Sequence, residues 1–181
     1  PFHGPNRWPD GLPEFRATTM AYYDALTDLS GTMMRSIAVA LDLSPGYFDG
    51  KLDGPLAMLR MLHYPPQTGT ITKQEIGTGA HTDYGLLTIL AQDDNGGLQV
   101  QTQDGDWIDA PPIPGTFVVN IGDELQRWSN DKLNSNPHRV INTSNKDRYS
   151  APYFFHAAYD TVIDCLPTCH SEDRPAEYEP I

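Results

Sequence analysis

The stretch Gly79-Ala80-His81-Thr82-Asp83-Tyr84-Gly85 contains a histidine and an aspartate two positions apart. In an extended chain alternate side chains point to the same side, so His81 and Asp83 would share one face while Thr82 points the other way. Such a pair is a common metal-binding arrangement, but it also arises often by chance. A third ligand from another part of the chain is needed before the pattern indicates a metal site.

The candidate third ligand is His138, in the stretch Asn136-Pro137-His138-Arg139-Val140. Proline biases the residue before it towards extended geometry, so His138 is predicted to begin a strand that runs to Ile141. Two imidazoles and one carboxylate on one side of an ion form the facial triad of non-haem Fe(II) oxygenases, which leaves coordination positions open. We therefore predict an iron site formed by His81, Asp83 and His138.

A second polar pattern, Arg148-Tyr149-Ser150, follows at short range. The same two-residue period places the Arg148 guanidinium and the Ser150 hydroxyl on one strand face, together with Phe154. A guanidinium binds a carboxylate through two parallel hydrogen bonds. The pattern therefore predicts a site for an organic acid beside the metal triad.

Length and charge limit the classes of partner. The chain has 181 residues, with 24 Asp and Glu against 12 Lys and Arg, for a formal net charge of -12. This length fits one domain, and the negative charge disfavours nucleic acid and anionic membrane surfaces. No apolar run is long enough to span a bilayer and no signal-peptide pattern is found. We expect a cytoplasmic monomer that acts on a small molecule, with Cys165 and Cys169 as free thiols.

Hydrophobic periodicity predicts one long helix from Glu14 to Leu41, and Ser44-Pro45 predicts a short second helix that ends at Gly50. Beyond this point seven or eight short strands, separated by Gly, Pro and Asn turns, predict a mainly β fold, a jelly roll (double-stranded β-helix) with a long flanking N-terminal helix. The predicted strands are Leu56–Tyr64, Leu86–Ala91, Leu98–Thr102, Trp107–Ile108, a central strand Thr116–Ile121, His138–Ile141 and Arg148–Ala157. Loops are predicted at Gln67–Gly79 and 122–137, and a hairpin turn at Asp104-Gly105.

The sequence resembles the isopenicillin N synthase-like Fe(II)/2-oxoglutarate-dependent dioxygenase family. The resemblance extends from about Leu56 to Pro167 and rests on several motifs in the family's order. These are Leu59-Arg60-Met61-Leu62-His63-Tyr64-Pro65, His81-Thr82-Asp83, Gly96-Gly97-Leu98-Gln99-Val100, Asn120-Ile121-Gly122-Asp123, Ser135-Asn136-Pro137-His138-Arg139-Val140 and Arg148-Tyr149-Ser150.

The resemblance implies Fe(II), 2-oxoglutarate and O2 as cofactors, with ascorbate as a stimulant. It implies oxidation of a small organic substrate by hydroxylation, desaturation or ring closure, with release of succinate and CO2. Arg148, Ser150 and Tyr64 would bind 2-oxoglutarate. Many family members have asparagine at the position of Leu62, so one expected contact to 2-oxoglutarate is absent.

The residues predicted to face the second substrate are Arg60, Tyr84 and Phe154. Arg60 shares a strand face with Leu62 and Tyr64, and Phe154 shares one with Arg148. They suggest a substrate with an aromatic or apolar body and a carboxylate, in natural-product biosynthesis or the hydroxylation of small acids.

Family members carry further structure before and after the segment that this chain matches, so the chain looks like part of a longer protein. We expect three parts: a lead-in with flanking helices at 1–55, a jelly-roll dioxygenase core at 56–167, and a truncated C-terminal tail at 168–181. Pro1, Pro5, Pro9 and Pro13 predict an irregular lead-in.

Two alternatives stay open. An oxidase of the isopenicillin N synthase type has the same triad and Arg-x-Ser pair but uses no 2-oxoglutarate, and Leu62 is compatible with it. A jelly-roll binding module without catalytic activity would keep the fold but not the iron.

Overall fold

The computed structural model describes residues 4–66, 77–142 and 144–181. After an irregular lead-in, helix α1 spans Pro13–Ala40, and a proline in its first turn suits the start of a helix because no N–H is lost from the hydrogen-bond ladder. Its buried residues are Leu26, Ser30, Met34 and Ala38, four apart on one face. Leu29, another apolar residue of the helix, is 36% exposed and lies outside this face. None of the helices in the described ranges has the length and apolar character needed to cross a membrane.

The nine strands of the described residues form two sheets. They are β1 Pro55–Leu59, β2 Leu62–Tyr64, β3 Thr78–His81, β4 Leu87–Gln92, β5 Leu98–Gln101, β6 Trp107–Asp109, β7 Val118–Ile121, β8 His138–Val140 and β9 Arg148–Ala158. One sheet has the order β1-β9-β4-β7, with β2 also paired to β9, and the other has the order β3-β8-β5-β6. All pairs are antiparallel. The predicted jelly roll with a long N-terminal helix is confirmed.

Helix α1 packs against the outer face of the first sheet. The Thr27 hydroxyl lies 2.6 Å from the Tyr153 hydroxyl, and the Tyr23 ring meets the Tyr153 ring edge-on at 5.3 Å between centroids. Burial raises the pKa of Tyr153 to about 12. The core beneath the helix includes Leu87 and Ile89 of β4 and Phe155 of β9. Because these side chains point towards α1, their neighbours in sequence point to the interior between the sheets.

The predicted single strand Leu56–Tyr64 is two strands, and this prediction was wrong. The ladder to β9 is interrupted at Arg60 and Met61, opposite Pro152. Proline has no N–H to donate, so one hydrogen bond of the ladder is missing there, and the pairing resumes in the same register at Leu62 and Ser150. The Arg60 N–H still donates to the Pro152 carbonyl at 3.0 Å, which holds the two strands in line.

Other predicted elements also differ from the structure. The segment after Ser44-Pro45 forms turns and a three-residue 3₁₀ helix, Asp49–Lys51, rather than an α-helix. Strand β7 lies at the end of its sheet order rather than in the centre. The connector 122–137 contains a second helix, α2, Asp123–Trp128. The predicted loop Gln67–Gly79 ends earlier because β3 begins at Thr78, and its residues 67–76 lie outside the described residues.

Two other predictions are confirmed. Strands β5 and β6 form a hairpin with Gly105 at φ +89°, a conformation that favours glycine. Cys165 and Cys169 are free thiols.

The C-terminal tail is held to the end of α2 by the buried side chain of Asn130. Its amide nitrogen donates to the Cys169 and Pro175 carbonyls, both at 3.1 Å, and its oxygen accepts from the Glu177 N–H at 2.9 Å. Asn130 has φ +52°, a left-handed conformation in which asparagine is among the better-tolerated residues. The Arg174 guanidinium also donates to the Asn130 carbonyl. One residue thus fixes three points of the tail.

We predict that Asn130→Ala lowers the free energy of unfolding by about 2–4 kcal/mol, because buried carbonyls lose their donor and alanine is strained at positive φ. Chemical denaturation measures the change. The matched control is Asn145→Ala, which is exposed at φ +53° and should cost only about 1 kcal/mol. Equal losses in both variants would show that the side-chain hydrogen bonds to the tail contribute nothing.

Candidate active site

The three predicted metal ligands meet at one end of the space between the sheets. His81 ends β3 and His138 begins β8, and the two are direct cross-strand partners. Their ring centroids lie 4.3 Å apart. Both Nε2 atoms face one oxygen of Asp83, with Oδ1 at 3.7 Å from His81 and 3.6 Å from His138. The ligand atoms of the three side chains all lie within 4.8 Å of one another, close enough to share one ion.

Each imidazole is oriented by a backbone carbonyl two residues earlier in the chain. His81 Nδ1 lies 2.8 Å from the Gly79 carbonyl, and His138 Nδ1 lies 3.3 Å from the Asn136 carbonyl. A carbonyl can only accept, so in both rings Nδ1 carries the proton and Nε2 keeps its lone pair. Both lone pairs are therefore available on the side that faces Asp83, as metal ligation requires.

The donor set fits Fe(II) in kind, and Asp83 and His138 are buried while His81 is exposed. Asp83 is only 5% exposed, and its Oδ2 atom has no hydrogen-bond partner among the described residues. A buried carboxylate oxygen without a donor is costly, and a cation would compensate for it. Burial lowers the pKa of His138 more than the neighbouring Asp83 carboxylate raises it, which favours the neutral imidazole that metal binding requires.

The loop that carries Asp83 is packed tightly against both neighbouring elements. A Cβ atom on Gly85 would lie 2.6 Å from the Phe155 carbonyl of β9, and one on Gly122 would overlap the Gly85 carbonyl. Only glycine at these two positions allows the backbones to approach so closely. Asp83 lies beyond the end of β3, so the loop rather than a continuous strand sets its position.

Arg148 is fully buried, and its hydrogen bonds all go to neutral groups. Nε donates to the Gly96 carbonyl at 2.6 Å, Nη2 to Gln92 Oε1 at 3.2 Å and Nη1 to Ser150 Oγ at 3.4 Å. Within the described ranges no carboxylate lies within ion-pair distance of this guanidinium. Burial lowers the pKa of Arg148, but arginine remains charged in proteins. The described interior therefore contains a positive charge with no carboxylate at ion-pair distance, although Asp93 acts on it from farther away.

Tyr64 and Ser150 lie beside this charge. The Arg148 guanidinium lies 5.0 Å from the centroid of the Tyr64 ring, a cation–π distance, and the Tyr64 hydroxyl lies 3.1 Å from Thr78 Oγ1. Ser150 is the Cα partner of Leu62 across the β2–β9 pair. The two-residue period predicted for β9 thus brings Arg148, Ser150 and Phe154 to one face.

One cavity of about 530 Å³ joins the triad to Arg148. This volume is in the range of small-molecule sites. Eight of the nine predicted site residues line it, namely His81, Asp83, His138, Arg148, Ser150, Tyr64, Arg60 and Phe154. Tyr84 does not, because its side chain is 80% exposed and lies near α2, outside the cavity.

Several cavity residues were not predicted from the sequence. Thr88, Asn120 and Asn142 line the wall, and Gln92 and the Gly96 carbonyl hold Arg148. Asn120 lies in a motif that the sequence shows plainly, Asn-x-Gly-Asp, which could have marked it. For Thr88 and Gln92 the register between β4 and β9 is needed, and no local signal in the sequence provides it.

A jelly roll with a triad of two histidines and one carboxylate is typical of non-haem Fe(II) oxygenases. The sequence profile of the 2OG-Fe(II) oxygenase superfamily matches residues 55–157. The chain belongs to this superfamily, as its motifs predict.

Similar proteins cover almost the whole chain. A 2-oxoglutarate-Fe(II) type oxidoreductase of Emericella nidulans, hxnY, is 44% identical over 98% of this chain and 52% of its own length. A homoarginine-6-hydroxylase of Glycine max is 46% identical over 91% of this chain and 52% of its own length. The crystal structure of a full-length Neurospora crassa protein with thymine and alpha-KG, a synonym of 2-oxoglutarate, matches with a TM-score of 0.93 and 39% identity, over 98% of this chain and 57% of that chain. The chain thus spans about half the length of these relatives.

We predict that Gly85→Ala lowers the free energy of unfolding by about 1–3 kcal/mol, because the new methyl group meets the rigid carbonyl of Phe155 and the ligand loop has to shift. Chemical denaturation measures the loss. Gly79→Ala is the matched control, since a Cβ atom there meets nothing within 4 Å. If Gly85→Ala were as stable as Gly79→Ala, the loop would not be packed as closely as described.

Proposed function

We propose that the protein is a non-haem Fe(II)- and 2-oxoglutarate-dependent dioxygenase that oxidises a small organic substrate, with release of succinate and CO2. The observation that carries the proposal is the buried Arg148 charge, which has no carboxylate at ion-pair distance among the described residues and lines the cavity that also contains the triad. His81, Asp83 and His138 would bind Fe(II). Arg148, Ser150 and Tyr64 would bind the far carboxylate of 2-oxoglutarate.

The electrostatics of the cavity support a dicarboxylic cosubstrate. Burying a charge without a partner costs several kcal/mol, even after relaxation of the surroundings. The neutral acceptors around Arg148 offset part of that cost, and a bound carboxylate would offset more through charge-assisted hydrogen bonds. The apolar residues Leu90, Leu98 and Val140 line the same cavity, and apolar surroundings would strengthen such a pair. The alpha-KG in the similar Neurospora crassa structure agrees with this assignment.

The roles of the protein and of its cofactors are distinct. Bound Fe(II) and 2-oxoglutarate supply the oxidative chemistry with O2, which includes decarboxylation of 2-oxoglutarate to succinate. His81, Asp83 and His138 would hold the ion, and three protein ligands would leave coordination positions for 2-oxoglutarate and O2. The Gly79 and Asn136 carbonyls keep both imidazoles in the tautomer that ligates through Nε2.

We assign Arg60 and Phe154 to the part of the cavity that contacts the second substrate. Arg60 is exposed and has no ion-pair partner within the described ranges, so it can meet an anionic group of the substrate. Phe154 provides an aromatic surface on the same wall. Tyr84 points away from the cavity, and we do not include it. The proposed substrate is a small molecule with an apolar or aromatic body and an anionic group, oxidised by hydroxylation, desaturation or ring closure.

The binding assignment is tested with Arg148→Ala. We expect the affinity for 2-oxoglutarate to fall at least about 30-fold, because removing one partner of a buried charge pair costs 2–5 kcal/mol or more. Isothermal titration of the metal-loaded protein measures it. The control is Arg35→Ala, which removes an exposed arginine paired with Asp49 at 3.1 Å and should leave the affinity unchanged. Unchanged affinity in Arg148→Ala would refute the assignment.

The reaction class is tested by the succinate formed per O2 consumed with a turned-over substrate. A ratio near one supports the dioxygenase. Oxygen consumption without succinate would support the isopenicillin N synthase-type oxidase, for which Leu62 at the cavity wall is the favourable observation. A folded protein that takes up no Fe(II) would support a binding module instead.

A further inference from the structure

We propose that Asp123, acting with Thr82, is a positioning residue that fixes the metal ligand Asp83. The inference rests on the proposed metal site. It concerns the side of the ligand loop that faces away from the cavity, towards α2. Its evidence is a set of hydrogen bonds from the first turn of α2 to four consecutive residues, 82–85.

Asp123 contacts the ligand loop through its backbone and its side chain. Its N–H donates to the Asp83 carbonyl at 2.7 Å, and its carboxylate oxygen Oδ2 accepts from the Thr82 hydroxyl at 3.1 Å. The side chain of Thr82 therefore points to the opposite side of the backbone from the ligand carboxylate. Fixing both Thr82 and the Asp83 carbonyl leaves the Asp83 side chain little freedom to move away from the two imidazoles.

The next residue extends the same contact along the loop. The Glu124 N–H lies 3.1 Å from the Tyr84 carbonyl and 3.2 Å from the Gly85 carbonyl, and its carboxylate pairs with His156 Nδ1 at 3.0 Å. His156 belongs to β9, and the Leu86 N–H donates to the neighbouring Phe155 carbonyl at 2.8 Å. The loop is thus held between α2 and the strand that carries Arg148. The Thr82–Asp123 hydrogen bond joins two side chains, and Thr82 directly precedes the ligand Asp83. Side-chain substitutions can therefore remove this bond while the backbone hydrogen bonds of the loop stay in place.

A metal site needs this support because only small displacements of its ligands are compatible with binding. Productive sites hold their ligands to within about 0.5 Å, and the loss of a group that orients a ligand typically weakens metal binding 10- to 100-fold. The carbonyl contacts of His81 and His138 already orient the two imidazoles. Asp83 Oδ2 has no hydrogen-bond donor of its own among the described residues, so its orientation depends on the backbone that Asp123 holds.

The test compares Mn²⁺ affinity, measured by electron paramagnetic resonance on the metal-stripped full chain, in matched variants. Asp123→Ala and Thr82→Val should each weaken Mn²⁺ binding about 10- to 100-fold. Asp123→Asn and Thr82→Ser keep an acceptor and a donor, so both should restore the affinity to within about threefold of the unaltered protein. The double variant Asp123→Ala/Thr82→Val should bind Mn²⁺ with the same affinity as the single variant that binds it less tightly, because each substitution removes the same hydrogen bond.

The measurements distinguish three explanations: a positioning role for Asp123, unfolding of a variant, and the absence of a metal site. Asp49→Ala, which removes an exposed carboxylate from its pair with Arg35, is the control and should bind Mn²⁺ normally. Thermal unfolding well above the assay temperature in every variant excludes a general loss of structure. Unaltered affinity in Thr82→Val, or Asp123→Asn as weak as Asp123→Ala, would overturn the inference. Absence of Mn²⁺ binding in the unaltered protein would overturn the proposed metal site and the inference together.

Discussion

The site depends on the cross-strand pair of His81 and His138. Directly opposed residues of antiparallel strands have Cβ atoms about 4.5–5.5 Å apart on one face of the sheet. The β3–β8 register therefore sets the spacing of two ligands from segments more than fifty residues apart in sequence. A shift of one residue in that register would turn one imidazole to the other face of the sheet. The turn after β3 then brings the Asp83 carboxylate close to both rings.

Strand β9 provides the other half of the site. It pairs with β1, β2 and β4, so it lies in the middle of its sheet and is held on both edges. Its alternation places Tyr153 and Phe155 against α1, and Arg148, Ser150 and Phe154 in the cavity. The same strand thus links the packing of the long helix to the position of the buried guanidinium, and its far end contacts the loop that carries Asp83.

Much of this arrangement can be predicted from sequence because it follows the period of two in strands. That rule correctly predicted that Arg148, Ser150 and Phe154 share one face of β9, the face that lines the cavity. The prediction of Tyr84 as a cavity residue did not follow from this rule, since alternation places its side chain opposite that of Asp83, and the structure has it exposed outside the cavity. Helix α2 was missed since six residues are too few to show a helical period. The division of β1 from β2 depends on Pro152, almost a hundred residues later in the chain, and no local pattern could indicate it.

The central claim is that three side chains bind one ferrous ion beside a buried arginine that binds 2-oxoglutarate. Anomalous scattering at the iron edge from anaerobic crystals grown with Fe(II) and 2-oxoglutarate tests it most directly. We expect one iron peak within about 2.0–2.2 Å of both Nε2 atoms and an Asp83 oxygen, with a carboxylate of the cosubstrate at Arg148. An iron peak elsewhere, or a cosubstrate that leaves Arg148 without a carboxylate, would contradict the account.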